Sequence, residues 1–361
     1  MIRYENNRPE IDIFTDVEPD DILALVLLAP FFRFRAIFVV CSENPLWPRL
    51  QHLERILNAL SIVPDLLLPL GHQDEHILAG LPHLNAHFAS MPPRLLLLLA
   101  SFEPLLEVFK SAPQVLAKLD AVAYGSVNIR WALRRSPDSK QDLLRLINHG
   151  FRSLSVFETY FAYGDAPNSF NPTDTPRTCS LLQKSTHPAC ICLVECIKEW
   201  NRFLLASRVD ALLPHAPRLA RDLNIERSGE IRLTPEARST LQAMAADKTF
   251  PAFTKARVIL SIASAIDTQF VAADPGAAIL AISLFGDQST SDPVSASMRA
   301  SVVPHVQPVH VTIPEAFVVL GRVSQSQVAY FTPLDASAKY LTMVDDCVAR
   351  VILAHIEQRD V

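Results

Sequence analysis

The sequence has no run of five or more basic residues, and its formal net charge is −5 over 361 residues. It therefore makes no case for nucleic acid as a partner. It also lacks an uninterrupted apolar stretch long enough to span a bilayer; the longest, around 25–32 and 95–100, are broken or short. The opening MIRYENNRPE is polar and unlike a secretory signal peptide. Internal repeats, low-complexity segments and a dividing linker are all missing, so residues 1–361 are expected to form a single domain. The six cysteines, Cys41, Cys179, Cys190, Cys192, Cys196 and Cys347, fit neither a zinc spacing nor a disulfide framework. Cys190, Cys192 and Cys196 fall on an apolar helical pattern and read as buried thiols. These absences point to a soluble chain in a reducing compartment, cytoplasmic by default, with no membrane partner. Export by a route without a signal peptide, and a homo-oligomer, stay open.

What the chain does have is apolar material in alternating units. Short runs such as 34–40 (FRAIFVV) and 94–100 (RLLLLLA) suit strands covered on both faces. Between them, segments such as 49–60 carry apolar residues at helical spacing. Strand, helix, strand, helix through residue 126 predicts an α/β fold, a mostly parallel central sheet flanked by helices. Residues 72–93 read as an irregular surface excursion, and 310–313 with 328–331 as a late hairpin. In parallel sheets ligands bind beyond the carboxyl ends of the strands. Residues 16–21, 41–44, the segment after Ala100, and 125–128 all fall there.

The first of these loops is the richest. Residues 11–25, IDIFTDVEPDDILAL, read as a strand, an acidic turn and a helix. Asp16, Asp20 and Asp21 crowd the turn, and three carboxylates within six residues repel one another unless a cation sits among them. Asp274 follows another strand more than 250 residues later. Oxygen donors at strand ends, with no Cys or His beside them, favour Ca2+ over Zn2+. The competing reading is simpler: Asp20 and Asp21 cap the helix and complement its dipole.

The stretch from Thr15 to Leu25 resembles the amino-terminal motif of the inosine–uridine nucleoside hydrolase family, D-T-D-P-G-x-D-D-A-x-A-L. Further landmarks follow in the family's order: Asn44, Ala100–Glu103, Ala123–Ser126, Phe157–Glu158 with Asn168, Ala273-Asp274-Pro275, and Val344-Asp345. The resemblance implies a calcium-dependent hydrolase that cleaves the N-glycosidic bond of a ribonucleoside or ribosyl-containing metabolite. Asp16 would be a metal ligand and the base that activates water. Asp21 and Asp274 would be further metal ligands, with a backbone carbonyl near Phe102–Glu103, marked by Glu103, completing the set. Asp20, Asn44, Glu158 and Asn168 would bind ribose hydroxyls, and Asn128 is a further candidate for substrate binding. Trp131, Tyr160, Phe161 and Tyr163 could stack on a base or simply pack, and Arg130 could contact a phosphate.

The sequence departs from the family in three places. Phe14 replaces the first Asp, Val17-Glu18 replaces Pro-Gly, and Ala273 replaces the His before the late Asp. These changes imply a different ribosyl substrate, such as a nucleotide-derived or ADP-ribose-type compound, or reduced activity. The alternative is an effector-like protein that keeps a metal- and ribose-binding pocket without nucleoside hydrolysis.

Overall fold

The computed structural model describes residues 8–40, 48–70, 74–90, 95–125, 128, 132, 137–157, 169–170, 175–215, 223–225, 231–247, 253–264, 270–271, 274–286, 293–302, 306–308, 310–312, 319–321, 328–331 and 336–357. Its first half alternates as expected: β1 (Glu10–Thr15), α1 (Pro19–Leu28), β2 (Arg33–Val40), α2 (Arg49–Leu60), β3 (Leu66–Leu70), α3 (Asp74–Ala89), β4 (Leu95–Leu98), α4 (Glu103–Ser111), α5 (Pro113–Leu116), β5 (Asp120–Tyr124), α6 (Lys140–His149) and β6 (Ser153–Phe157). These six strands pair in parallel in the order β3-β2-β1-β4-β5-β6. The chain's direction of winding reverses between β1 and β4, where an open α/β sheet forms its ligand crevice.

The second half is mostly helical: β7 (Ser169–Phe170), α7 (Pro176–Lys184), α8 (Pro188–Leu212), β8 (Leu223–Ile225), β9 (Ile231–Leu233), α9 (Pro235–Ala246), α10 (Phe253–Ser264), β10 (Phe270–Val271), α11 (Asp274–Phe285), α12 (Pro293–Val302), β11 (Val306–Pro308), β12 (His310–Thr312), β13 (Val319–Gly321), β14 (Val328–Phe331) and α13 (Ala336–Val351). The expected late hairpin is not formed. Residues 310–312 pair with 319–321 instead, and β14 joins the main sheet parallel to β6, with β11 antiparallel at the edge. A four-residue apolar strand carries no signal for its partner, so a hairpin and a place at the sheet edge read alike in the sequence. Within the stretch expected to be irregular, Asp74–Ala89 forms a regular helix. Leu81, Leu84 and Phe88 share one helical face of α3, and a Cβ on Gly80 would come within 2.6 Å of Leu70. The polar residues on the other face conceal that stripe in the sequence.

Alternation along β1 separates two apolar layers. Ile11 and Ile13 face a layer that includes α1, α8, α11 and α13, while Phe14 faces one that includes α3, α4 and α6. A third, smaller core joins the end of α8 (Leu205, Val209, Leu212) to α9 and α10 through Leu241 and Ile259. The late Val-Asp has a structural task. Asp345 on α13 accepts hydrogen bonds from the Thr178 and Arg177 amides at 2.7 and 3.2 Å, capping α7 with a buried carboxylate. Cys179, Cys190, Cys192, Cys196 and Cys347 are buried free thiols. Burial pushes Cys190 up to about 11 and Cys347 up to about 12, so neither is reactive. Among the described residues, no helix is long and apolar enough to cross a membrane.

Candidate metal centre

The site begins where β1 runs out. Val17 takes φ 58, in the left-handed region that β-branched residues avoid. Neighbouring groups hold it there. The Val17 amide donates to Thr15 Oγ1 at 3.0 Å, and Thr15 Oγ1 donates to Asp21 Oδ1 at 2.6 Å. The Glu18 amide donates to Asp21 Oδ2 at 3.0 Å. Glu18 itself is extended (φ −80) and caps α1 reciprocally with Asp21, while Pro19 starts the helix. The residue at the family's Gly position therefore needs no glycine. The unusual backbone falls one residue earlier, where a proline could not adopt it.

Asp274 arrives from the far end of the chain as the first residue of α11, which packs on α1. Carboxylate oxygens of Asp20, Asp21 and Asp274 all lie within 4.8 Å of one another. Asp21 and Asp274 are buried and Asp20 is half-buried. Asp21 thus both closes the capping box and joins the acidic group.

The electrostatics follow from burying like charges. Burial, then the charge of Asp20, pushes the Asp21 carboxyl up to about 7. Burial also raises Asp274 well above the usual carboxylate range, with Asp21, Asp20 and Asp16 adding to it. Asp16 is raised by burial and by Asp21, with which it is in hydrogen-bonding contact, while Arg49 pulls the other way. Asp16 stays half-buried and lies outside the three-oxygen group.

Gly276 sets how closely α11 approaches. A Cβ there would lie 2.1 Å from the Phe157 ring at the end of β6. Only hydrogen at this position lets the first turn of α11 settle on the sheet and bring Asp274 to α1.

The other expected residues divide. Glu103 is buried in the first turn of α4, beyond the carboxyl end of β4, and is not in the three-oxygen group. Asn128 is buried and its amide donates to the Leu99 carbonyl at 2.9 Å, tying down the loop after β4. Asn44, Glu158 and Asn168 lie outside the described residues, as do Arg130, Trp131, Ala273, Tyr160, Phe161 and Tyr163. Sequence reasoning missed three contributors: Thr15, Gly276 and Arg49. Arg49 is 6% exposed at the start of α2. A basic residue opening the helix that follows β2 was the available signal for it.

No protein family matches the chain by sequence pattern, and no curated protein matches it by sequence. Solved structures do match. An inosine-guanosine nucleoside hydrolase superposes with a TM-score of 0.52 at 10% identity, covering 94% of this chain and 98% of that one. The chain has the nucleoside hydrolase fold. Two further structures align over similar lengths with TM-scores below 0.5. The effector protein XOO4466 does so at 0.49 and 13% identity, covering 96% of this chain and 95% of its own. A purine-preferring ribonucleoside hydrolase from Gardnerella vaginalis does so at 0.46 and 10% identity, covering 95% and 98%. With a nucleoside hydrolase fold, the acidic group stands at the sheet's carboxyl edge, beside the reversal between β1 and β4.

Proposed function

We propose that the chain is a calcium-dependent hydrolase that cleaves the N-glycosidic bond of a small ribosyl compound. The observation that carries this reading is the meeting of Asp20, Asp21 and Asp274, two of them buried, with oxygens inside 4.8 Å. Carboxylates so placed resist ionisation together, and a hard divalent cation relieves that. An all-oxygen donor set suits Ca2+ better than Zn2+. Asp21 and Asp274 would hold the ion, with Asp16 beside them and a backbone carbonyl near Glu103 as a further ligand. Once bound, the ion would supply positive charge that acidifies water and orients ribose hydroxyls.

The chain's own residues do the rest. Asp16, half-open to solvent and next to Asp21, takes the proton of the attacking water. Thr15 and the Glu18 amide fix the Asp21 carboxylate so that it need not reorient. Asp20 stands between the two tasks, close enough to Asp21 and Asp274 to share the ion and exposed enough to meet a ribose hydroxyl. Asn128 holds the loop after β4, and Asn44, Glu158 and Asn168 would complete the ribose contacts. Ala273 offers no proton to a departing base, so the favoured substrate has a leaving group that departs without one.

A second reading has its own observation. Phe14, where the family has its first Asp, is fully buried with its ring 4.6 Å from that of Phe38. That position now serves the core, which suits a protein that binds a ribosyl ligand without cleaving it. The test is a product screen over nucleosides, nucleotides and ADP-ribose compounds, with and without calcium. The hydrolase reading expects free base or a ribose product, and a loss of about 10²–10⁴-fold in rate for Asp16→Asn. Calcium and ligand binding with no product from any compound would establish the second reading instead.

A further inference from the structure

Among the described residues two arginines are buried, Arg35 and Arg49. The fold itself accounts for Arg35. The β1–β2 register jumps from Ile11 opposite Phe34 to Asp12 opposite Ala36, so Arg35 is the extra residue of a bulge, a device that re-aims a side chain. Arg35 pairs with the buried Asp12, and its Nε lies 4.0 Å from Glu10. His87 of α3 joins them, with Nε2 3.0 Å from Asp12 Oδ2 and 3.0 Å from Arg35 Nη2. Acids of β1 meet the charge of this guanidinium.

Arg49 stands elsewhere and has a different opposite charge. It is the first residue of α2, whose first turn holds no acidic residue. The amides at a helix N-terminus already carry partial positive charge, so a cation is unwelcome there. Burial adds to the cost, because a charge withdrawn from water needs one of opposite sign. α2 follows β2, and β2 lies beside β1, so the start of α2 neighbours the acidic turn. There the Arg49 charge acts on Asp16 and favours its ionised form. Asp16 is also in hydrogen-bonding contact with Asp21, yet it lies outside the three-oxygen group. Two cations can therefore claim Asp16: the resident guanidinium, and the ion that Asp21 and Asp274 would hold.

We propose that Arg49 is a positioning residue that competes with the bound ion for Asp16, setting calcium affinity below what the carboxylates alone would give. The inference rests on the metal reading above. Before the ion arrives, Arg49 offsets part of the repulsion among the acids. Once the ion is bound, the same charge repels it and keeps a hold on Asp16. A carboxylate drawn wholly to a divalent ion is a weak base, so this divided hold leaves Asp16 able to take a proton from water.

The test is calorimetric titration of the full chain with calcium at pH 8.5, comparing wild type, Arg49→Gln and Arg49→Lys. Removing a unit charge near a divalent ion should make Arg49→Gln bind calcium about tenfold more tightly. Arg49→Lys, which keeps the charge, should stay within about threefold of wild type. A purely structural arginine predicts the opposite sign, since a damaged site binds more weakly. If Arg49→Gln is unfolded without calcium, excess calcium should restore its circular dichroism, because the ion replaces the lost charge. A folded Arg49→Gln that binds no more tightly than wild type overturns the proposal and leaves the metal reading standing. So does an Arg49→Lys that binds as tightly as Arg49→Gln, or an Arg49→Gln that calcium cannot restore. A wild type that takes up no calcium overturns both readings.

Discussion

The two halves of one strand solve opposite electrostatic problems. At Asp12, a carboxylate is buried with an arginine and a histidine from this same chain. Beyond the strand's end, Asp16 and Asp21 are gathered with Asp20 and Asp274, and among the described residues the cation acting on Asp16 is Arg49, which lessens the shift without reversing it. The interior can neutralise a buried acid when neutrality is all that is needed. Where carboxylates are left facing one another, with Asp21 raised to about 7, the charge they want is one that comes from outside.

The largest effect should come from breaking the self-sufficient half. Asp12→Ala strands Arg35 in the core and should cost about 3–5 kcal/mol, measured by denaturant unfolding. Asp12→Asn, which keeps an acceptor, should cost less. Next is the geometry that assembles the other half. Gly276→Ala should cost about 1–3 kcal/mol by overpacking against Phe157. It should also weaken calcium binding in titration calorimetry, because α11 moves while no charge changes.

Removing a charge should then act in opposite senses on the two halves. Asp274→Asn relieves repulsion, so the calcium-free protein should melt several degrees higher than wild type, although Asp12→Ala lowers the melting point. The pH dependence has the matching sign. Asp21 is raised from 3.8 to about 7 on folding, so the folded chain holds a proton that the unfolded chain has released. Calcium-free stability at this site is therefore greatest below 3.8 and is lost as pH rises towards 7. Calcium should flatten that decline, since its ligands must be ionised to bind. The smallest effect is at the turn. Val17→Gly removes left-handed strain but adds unfolded-chain entropy, so the gain should be at most about 1 kcal/mol in thermal unfolding.

The two halves were not equally legible. The acidic turn shows in the sequence because its signal is local: three Asp in six residues, after a strand and before a helix. Asp274 shows because it repeats that pattern. The buried Asp12–Arg35–His87 group does not show. Arg35 looks like an interruption in an apolar strand, since a one-residue bulge cannot be read from a period of two. His87 lies on a helix whose apolar stripe is thin, and Asp12 is three-dimensionally close to neither in any way that spacing reveals. Strands such as β2 and β4 were readable as buried apolar runs, and 328–331 was readable as a strand, but not its place beside β6, because a four-residue strand does not state its partner. Thr15 and Gly276 act through a hydrogen bond and a missing methyl group, which only the packed structure makes visible.

Calcium's effect on the melting temperature is the most direct test of the account. At a concentration 100 times its dissociation constant, bound calcium adds about 2.7 kcal/mol. The wild type should therefore melt several degrees higher with calcium than with chelator at pH 7.5. Asp16→Ala and Asp274→Asn should lose most of that rise. An unchanged wild-type melting temperature, or a rise that survives both substitutions, would contradict the claim that these carboxylates are assembled for a cation.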